Sequence, residues 1–182
     1  MTRRGLTCVA VIAACALIAA PALTGHAPRL IWNASASVPI GLYLTRPVAP
    51  LSLGDLVAVT PSGDLAAFLA GRGSLPHGVL LIKQVLALPG ARICREGAAI
   101  IVEGQVRGEA RERDRLGRDL PRWQGCRVLA EGEVFLMNAD APDSFDGRYF
   151  GPLPITSITA RLTPVWTDET GTGRFEWWAS MR

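Results

Sequence analysis

The chain has 182 residues, which suffice for one domain with a sizeable core or for a smaller domain with additional segments. Its net charge of +3 is small and is not concentrated in a basic stripe, which argues against a nucleic-acid partner. The four cysteines lack the spacing of a zinc site and the two histidines stand alone in the sequence, so no metal or other cofactor is expected.

An uncharged and mostly apolar stretch covers residues 5–23, after two arginines near the amino terminus. As a helix, this stretch would be roughly 28 Å long, about the hydrocarbon thickness of a bilayer. The arginines predict that residues 1–4 stay in the cytoplasm and that residues 24–182 lie across the membrane, behind a retained anchor. The alternative is a cleaved signal peptide, because residues 20–22 loosely resemble an A-x-A cleavage site.

Export would place Cys94 and Cys126 in a compartment that permits disulfides, and they are the only cysteines beyond the apolar stretch. We expect the two to be joined. The closed loop of about thirty residues would stabilise the fold by roughly 3–4 kcal/mol in the chain-entropy model. Two free thiols are the alternative.

The exported part is predicted to be mainly β. Apolar runs bounded by turn residues predict strands at residues 55–60, 79–88, 133–137 and 158–163, the last closed by Pro164, and a hairpin over residues 99–107. One short helix is predicted at residues 64–70, with Ser62 or Asp64 as its cap.

Two later segments have more than one interpretation. Nine of the thirteen residues from 107 to 119 are charged, which predicts a solvated extension of the hairpin or, alternatively, an arm that docks a partner. Near the carboxyl terminus, Phe175, Trp177 and Trp178 either pack against the domain or rest at the membrane interface, where aromatic residues concentrate.

Lys83 is the only lysine in the chain, against eighteen arginines, and it lies inside the apolar run of residues 79–88. An arginine keeps its proton in a protein, whereas burial can lower the pKa of a lysine by several units. A neutral amine can then serve as the general base for a nucleophile. The alternative is a lysine at a strand edge that extends its amine to water.

A serine is the expected nucleophile for this base, because the isolated histidines provide no plausible Ser-His-Asp triad. The best candidates are Ser35 and Ser37, in a run of small residues followed by Pro39 and Gly41. Such a run can form a tight turn that presents a hydroxyl and leaves room for a substrate backbone. A structural loop is the alternative, and the glycosylation triplet at Asn33 has little weight because such triplets often arise by chance.

Three segments, in this order, resemble the sequence boxes of the Ser-Lys signal peptidases. Residues 35–39 resemble their nucleophile box, residues 82–90 their lysine box, and residues 135–140 with 144–151 their carboxyl-terminal signature. The Ser-Val-Pro-Ile-Gly-Leu-Tyr form of the first box is most similar to the TraF-type peptidases of conjugative transfer systems. The resemblance covers roughly residues 30–166 and implies a β-rich, LexA-like catalytic domain behind one transmembrane helix. It also implies that the helix lies in the bacterial inner membrane and that the catalytic domain lies in the periplasm.

The resemblance implies the roles of the catalytic groups. Ser37 would be the nucleophile and Lys83 the general base. The Ser35 hydroxyl and the Ser37 backbone N–H would bind the oxyanion. Ser144 would hydrogen-bond to the Lys83 amine and orient it. These roles define an acyl-transfer site that needs no metal.

The resemblance also implies that Asp146 and Arg148 hold the carboxyl-terminal segment in place by a charge-assisted pair. Two positions depart from the pattern of general leader peptidases. Residues 138–140 read Asn-Ala-Asp where those enzymes have Gly-Asp-Asn, and Gly147 stands where they commonly have serine. These departures leave Asp140 without an assigned role and argue against the housekeeping enzyme.

The implied function is that of a membrane-anchored serine endopeptidase with a Ser-Lys dyad, which acts as a monomer on exported precursor proteins. The TraF-type likeness favours the maturation of a pilin precursor in a conjugative, type IV secretion system, with the precursor and membrane lipid as partners. One alternative is a general type I signal peptidase that removes secretory signal peptides. Another is a non-enzymatic anchored β-domain of a secretion apparatus. A self-cleaving repressor on the same fold is disfavoured because the chain lacks a DNA-binding half.

Overall fold

The computed structural model describes residues 3–23, 28–61 and 63–179. These residues are mainly β, as the sequence predicts. The strands are β1 (Leu30–Asn33), β2 (Ile40–Arg46), β3 (Leu56–Val59), β4 (Leu81–Ala87), β5 (Arg92–Glu96), β6 (Ala99–Val102), β7 (Gln105–Glu109), β8 (Gly125–Val128), β9 (Glu133–Leu136), β10 (Leu153–Pro154), β11 (Ile158–Asp168) and β12 (Glu176–Trp177). The helices are α1 (Arg3–Leu23), α2 (Gly63–Gly71) and α3 (Gly147–Phe150), and a 3-10 turn covers Ile155–Ser157.

The amino-terminal residues form a unit of their own, which ends at Leu30. Within it, α1 covers the stretch that the sequence predicts as a membrane anchor. Of the helices in the described part of the chain, none combines the length and the apolar character needed to cross a membrane. The predicted transmembrane span is therefore not confirmed. Residues 1–2 and 24–27, on either side of α1, lie outside the described residues.

The larger sheet places the strand of Lys83 near its middle. Its strands follow the order β1-β2-β11-β3-β4-β9-β10, and β12 pairs with β11. Every residue of β4 except Gln84 is buried, which explains the almost continuous apolar run in the sequence. Lys83 lies opposite Val57 of β3, and Val85 lies opposite Leu136 of β9. Strand β4 therefore has a neighbouring strand on each side, and its pairing with β9 begins two residues after Lys83.

The smaller sheet has four strands in the order β7-β6-β5-β8. The predicted hairpin forms from β6 and β7, and Glu103 and Gly104 make its turn with positive φ angles, as two-residue hairpin turns require. Cys94 of β5 lies opposite Cys126 of β8, and a disulfide joins the two across a sequence separation of 32 residues. Neither β5 nor β8 was predicted from the sequence, although the disulfide between their two cysteines was expected.

Strand β11 corrects the prediction for residues 158–163, because it continues through Pro164 to Asp168. Its pairing with β2 shifts register between Pro164 and Trp166, which marks a β-bulge. Proline has no N–H to donate, so a sheet tolerates it where a bulge already interrupts the hydrogen bonds. Close to this bulge lies Gly41 of β2, where a Cβ would clash with the Trp166 carbonyl oxygen.

Helix α2 covers the helix predicted at residues 64–70 and extends it by one residue at each end. Asp64 lies in the first turn of α2, not before it as a cap. A carboxylate at this position interacts favourably with the positive end of the helix. Ser62, the other predicted cap, lies outside the described residues.

The charged segment is mostly exposed and extends the hairpin, as the sequence predicts, but ion pairs also hold it against the domain. Its first residues, 107–109, belong to β7, and residues 110–122, which we call the charged arm, follow as a loop. An ion pair between Asp114 and Arg72 joins this arm to α2. Two arginines of the arm form ion pairs with Asp143, in the loop before α3. Oppositely charged partners that are distant in sequence therefore draw the arm onto the domain.

The aromatic tail packs on the domain and also exposes a large surface. The Phe175 ring contacts Trp32 and Trp166, with ring centroids 6.0 and 4.6 Å apart. Trp177 stacks on Trp166 at 5.9 Å where β12 pairs with β11. More than half the surface of Trp177 and of Trp178 remains exposed. Packing of the tail is thus observed, and contact with a membrane interface stays a prediction.

Candidate active site

The serine-containing turn between β1 and β2 is built around the side chain of Asn33. Its Nδ2 donates to the carbonyl oxygens of Ser35, Val38 and Pro39, at 2.8, 3.1 and 3.0 Å. Its Oδ1 accepts from the backbone N–H and from the hydroxyl of Ser35, both at 3.0 Å. Asn33 is buried, where hydrogen bonds of this kind are strengthened by the low local dielectric. The amide therefore holds the turn in one shape.

This turn brings the two predicted serine hydroxyls together. Ser35 Oγ lies 3.2 Å from Ser37 Oγ and, because the Ser35 hydroxyl donates to Asn33 Oδ1, it can accept from the Ser37 hydroxyl. The hydroxyl of the buried Tyr43 donates to the Pro39 carbonyl oxygen at 2.6 Å and braces the turn from β2. The run of small residues is therefore a fixed turn that presents two adjacent hydroxyls.

Lys83 is buried on β4, with 4% of its surface exposed. Its Nζ donates to Ser144 Oγ at 2.9 Å. Burial lowers the pKa of Lys83 from 10.5 to about 8, although the Asp146 carboxylate opposes this shift and the Arg148 guanidinium favours it. With this pKa, roughly one amine in ten is neutral at pH 7. No arginine could provide that neutral form.

Ser144 is positioned by a loop that ends where α3 begins. Its backbone N–H donates to the Ala141 carbonyl at 3.0 Å. Asp146 caps α3 by accepting from the backbone N–H of Arg148, and its carboxylate forms a buried ion pair with the Arg148 side chain at 2.8 Å. The same guanidinium donates to the carbonyl oxygens of Asn138 and Ala141, at 3.0 and 2.6 Å. The ion pair therefore ties together both ends of the loop that carries Ser144.

Asn138 connects this loop to the strand of Lys83. Its Nδ2 donates to the Ile82 carbonyl at 3.2 Å, and its Oδ1 accepts from the Gln84 N–H at 2.9 Å, one residue on either side of the lysine. The backbone N–H of Asn138 donates to Asp146 Oδ2 at 3.1 Å. The position of the amine is thus coupled to that of its hydrogen-bond partner Ser144.

The roles of Asn33 and Asn138 are not among the predictions from the sequence. Both are buried amides that follow directly after an apolar run, at the end of β1 and just beyond β9. An amide directly after an apolar run, close to a residue that bears chemistry, is the signal that could have identified them. Burial of an amide requires hydrogen-bond partners, and these two find theirs around the catalytic candidates.

The two departures from the leader-peptidase pattern have different structural contexts. At Gly147, a Cβ would lie 2.7 Å from the Leu136 carbonyl oxygen and 2.8 Å from the Phe135 ring, so the backbone leaves no room for a side chain. Asp140 is exposed and lines the cavity described next.

One cavity of about 720 Å³ collects the predicted catalytic groups, since Ser35, Ser37, Lys83 and Ser144 all line it. Ser37 pairs with Ser35 and the Lys83 amine pairs with Ser144, and no direct hydrogen bond joins Ser37 to Lys83 in the part of the chain that the structure describes. A serine hydroxyl, an amine of lowered pKa and hydrogen-bond donors for an oxyanion are the groups that acyl transfer requires.

The remaining predicted residues lie away from the cavity wall. Asp146 and Arg148 are buried behind the loop of Ser144, where they act on its position. Cys94 and Cys126 belong to the smaller sheet, so their disulfide supports the fold.

Comparisons with known proteins match this chain to one protein family and to several relatives. The family described as "Signal peptidase, peptidase S26" matches residues 2–167. A plasmid transfer protein TraF from Escherichia coli is 32% identical over 154 residues, which cover 79% of this chain and 85% of that protein. A conjugal transfer protein TraF from Agrobacterium fabrum is 34% identical over 145 residues, which cover 74% of this chain and 81% of that protein.

Among solved structures, a crystal structure of a signal peptidase I from Enterococcus faecalis is similar to this chain. The match covers 64% of this chain and all of that chain, with 18% identity and a TM-score of 0.40.

Proposed function

Since the chain belongs to the peptidase S26 family of signal peptidases, we propose that it is a membrane-anchored serine endopeptidase that uses a Ser-Lys dyad to cleave exported precursor proteins. The observation that carries this proposal is the buried amine of Lys83, which lines one cavity with Ser37 and bonds to Ser144. Desolvation makes this amine a base near neutral pH, which a purely structural cation does not require.

In the proposed reaction, the neutral Lys83 amine takes the proton of the Ser37 hydroxyl while Ser37 Oγ attacks the carbonyl carbon of the scissile bond. The Ser35 hydroxyl and the Ser37 N–H donate to the oxyanion of the tetrahedral intermediate. The Lys83 ammonium then returns the proton to the leaving amine, and an ester remains at Ser37. Water hydrolyses this ester, with the same amine as base.

The proposed substrate is a pilin precursor of a conjugative transfer system. Two relatives that each match about three quarters of this chain are named as plasmid and conjugal transfer proteins TraF. The uncharged stretch 5–23, which lies within the 21-residue helix α1, supports an anchor that keeps the catalytic unit at the periplasmic side of the inner membrane. A precursor held in the same membrane by its own apolar segment would reach the site there.

Substitution of each serine tests the proposal. We expect Ser37→Ala to have no detectable activity, because the nucleophile is lost. Ser35→Ala should keep weak activity, with kcat/KM lower by about 10²–10³, since one oxyanion donor is removed. Cleavage of a pilin precursor by the purified full-length proteins, measured by mass spectrometry of the products, provides both values.

Ser157→Ala is a suitable control for these variants, because its hydroxyl bonds to the Pro154 carbonyl in the turn before β11 and lines neither described cavity. Equal and complete loss of activity in Ser35→Ala and Ser37→Ala would contradict the assignment of Ser37 as nucleophile and Ser35 as oxyanion donor. Undiminished cleavage by Ser37→Ala would disprove the peptidase mechanism.

The pH dependence of the reaction tests the base. Because only the neutral amine of Lys83 can accept the proton, kcat/KM should rise roughly tenfold per pH unit below the pKa of about 8 and become constant above it. Initial rates of precursor cleavage between about pH 6 and 10 would measure this profile. A flat profile, or one that falls between about pH 6 and 9, would contradict the role of Lys83.

The same pKa shift affects stability. The folded pKa of Lys83 lies below the ordinary value of 10.5, so between about pH 8 and 10.5 the unfolded chain binds more protons than the folded chain. The free energy of unfolding therefore increases with pH in this window. Below about pH 8 it is lowered by the full free-energy cost of burying the amine. Lys83→Met, which retains the stem without the amine, should flatten this part of the stability profile.

A further inference from the structure

We propose that the charged arm, residues 110–122, forms a substrate-selecting wall of the catalytic cavity and favours precursors with an acidic side chain on one side of the scissile bond. This inference rests on the proposed peptidase function and adds a substrate class to it. It follows from where the arm lies, how it is held and which charges it presents.

The arm lies at the cavity that contains the dyad. Arg113, Arg115 and the mostly exposed Leu116 line the same cavity as Ser37 and Lys83. A peptide that reaches Ser37 through this cavity therefore passes within the range of the arm's charges.

One side of the arm is fastened to α2 through Asp114. This carboxylate accepts from Arg118 Nε at 2.7 Å, from Arg72 Nη1 at 3.2 Å and from the backbone N–H groups of Leu116 and Arg118, both at 2.9 Å. The Arg118 guanidinium in turn donates to the Arg72 carbonyl at 3.2 Å. These bonds give the loop a defined shape without regular secondary structure.

The other side of the arm is fastened beside the catalytic amine. Arg111 and Arg115 both form ion pairs with Asp143, the residue directly before Ser144. Because Ser144 bonds to the Lys83 amine, this second attachment places the arm beside the dyad, and the Arg111–Asp143 pair maintains it when Arg115 turns to a substrate carboxylate.

The cavity has an excess of positive charge. Its lining includes the five arginines Arg72, Arg111, Arg113, Arg115 and Arg118. Three carboxylates oppose them, those of Asp114, Asp140 and Asp143, so two positive charges are in excess without counting Lys83.

This excess is a local property and does not follow from the net charge of the chain. A second cavity also reaches Ser37, and its lining includes four carboxylates and neither arginine nor lysine. The two sides of the candidate nucleophile therefore present charges of opposite sign to a bound peptide.

Arg113 and Arg115 are the residues best placed to meet a substrate carboxylate. Their side chains are 68% and 79% exposed, and each forms one ion pair, with Asp119 and Asp143 respectively. A guanidinium has five N–H donors, so donors remain for a second carboxylate. Exposed ion pairs contribute little free energy. Replacing the protein carboxylate by a substrate carboxylate therefore costs little free energy.

The test compares peptides that differ in one charge. A neutral parent peptide with an Ala-x-Ala cleavage site is synthesised with Glu, Gln or Lys at single positions on either side of the scissile bond. The full-length protein in a neutral detergent cleaves each peptide, and the ratio of kcat/KM for Glu to that for Gln is measured within each variant. On one side of the bond we expect a ratio of roughly two to five at low salt, about what one exposed ion pair provides.

Salt and substitutions identify the source of this preference. The ratio should approach one in 1 M salt, where the Debye length is about 3 Å. It should also approach one in the double variant Arg113→Gln/Arg115→Gln and fall below one in Arg115→Glu. Arg107→Gln is the matched control, because Arg107 is exposed on β7 and lines neither cavity, and it should keep the wild-type ratio.

The outcomes separate this inference from the function on which it rests. A wild-type protein that cleaves neither the pilin precursor nor the neutral peptide would overturn both. If it cleaves the precursor alone, the same Glu, Gln and Lys substitutions are made in the precursor. Cleavage with a ratio near one at every position, or a ratio that the double variant retains, would overturn the inference alone. An effect of the arm that appears only with vesicles containing anionic lipid would assign the arm to the membrane and also overturn it. The salt series needs no variant, so misfolding of a variant leaves the inference testable.

Discussion

Lys83→Arg should be as inactive as Lys83→Met, with kcat/KM lower by roughly 10⁴-fold, the upper end of what a general base contributes. Arginine retains the positive charge and a long stem, but its guanidinium does not release a proton at any pH where the protein is folded. Burial of Lys83, which lowers the pKa of the amine to about 8, cannot have the same effect on an arginine.

Cleavage of a precursor by the purified variants, together with thermal unfolding, measures activity and folding separately. Arg107→Lys is a matched control, because it exchanges the two cation types at an exposed position of β7 and should leave both quantities unchanged. Substantial cleavage by folded Lys83→Arg would show that a neutral amine is not needed. That result would remove Lys83 from the reaction, whatever the role of Ser37.

The positions of the candidate residues Ser37 and Lys83 could be predicted because local sequence determines much of them. A strand enclosed on both faces needs apolar residues nearly throughout. For this reason β4 could be recognised in the sequence as an apolar run, and Lys83 as the charged residue that interrupts it. The turn that carries Ser35 and Ser37 could also be predicted as a turn, because small residues followed by proline and glycine favour one. Its shape could not, because that depends on the burial of Asn33.

Most features that could not be predicted from the sequence depend on contacts between residues that are distant in the chain. The ion pairs between Asp114 and Arg72, and between the arm and Asp143, join residues that are far apart in the chain. A run of mixed charges looks the same whether its partners are water or distant side chains. The charged arm was therefore predicted as a solvated extension, although the fold places it on the cavity.

Pro164 illustrates the opposite failure, in which a valid local rule was overridden. Proline usually ends a strand because it cannot donate a hydrogen bond. Here the register shift between Pro164 and Trp166 removes the need for that bond, and β11 continues for four more residues to Asp168. The bulge depends on pairing with β2, which no local pattern reports.

Asp146→Ala should lower the free energy of unfolding by about 3–5 kcal/mol, the cost of removing one partner from a buried ion pair. The side chains of Asp146 and Arg148 are 0% and 2% exposed, so water cannot replace the lost carboxylate. The substitution also removes the cap of α3 and the acceptor of the Asn138 N–H. Thermal unfolding of the full-length protein should show a midpoint lower by roughly 10 °C.

Asp146→Ala/Arg148→Met is the informative partner variant, because it removes the unpaired charge together with the carboxylate. It should recover part of the lost stability, as apolar replacements of buried ion pairs often do.

The activity of the single variant Asp146→Ala provides a second readout, which a purely structural ion pair would not affect. The Asp146 carboxylate raises the pKa of Lys83, so its loss should let that pKa fall further below 8 and move the midpoint of kcat/KM to lower pH. A single variant with wild-type stability and an unchanged pH midpoint would mean that the pair neither supports the loop of Ser144 nor acts on the amine.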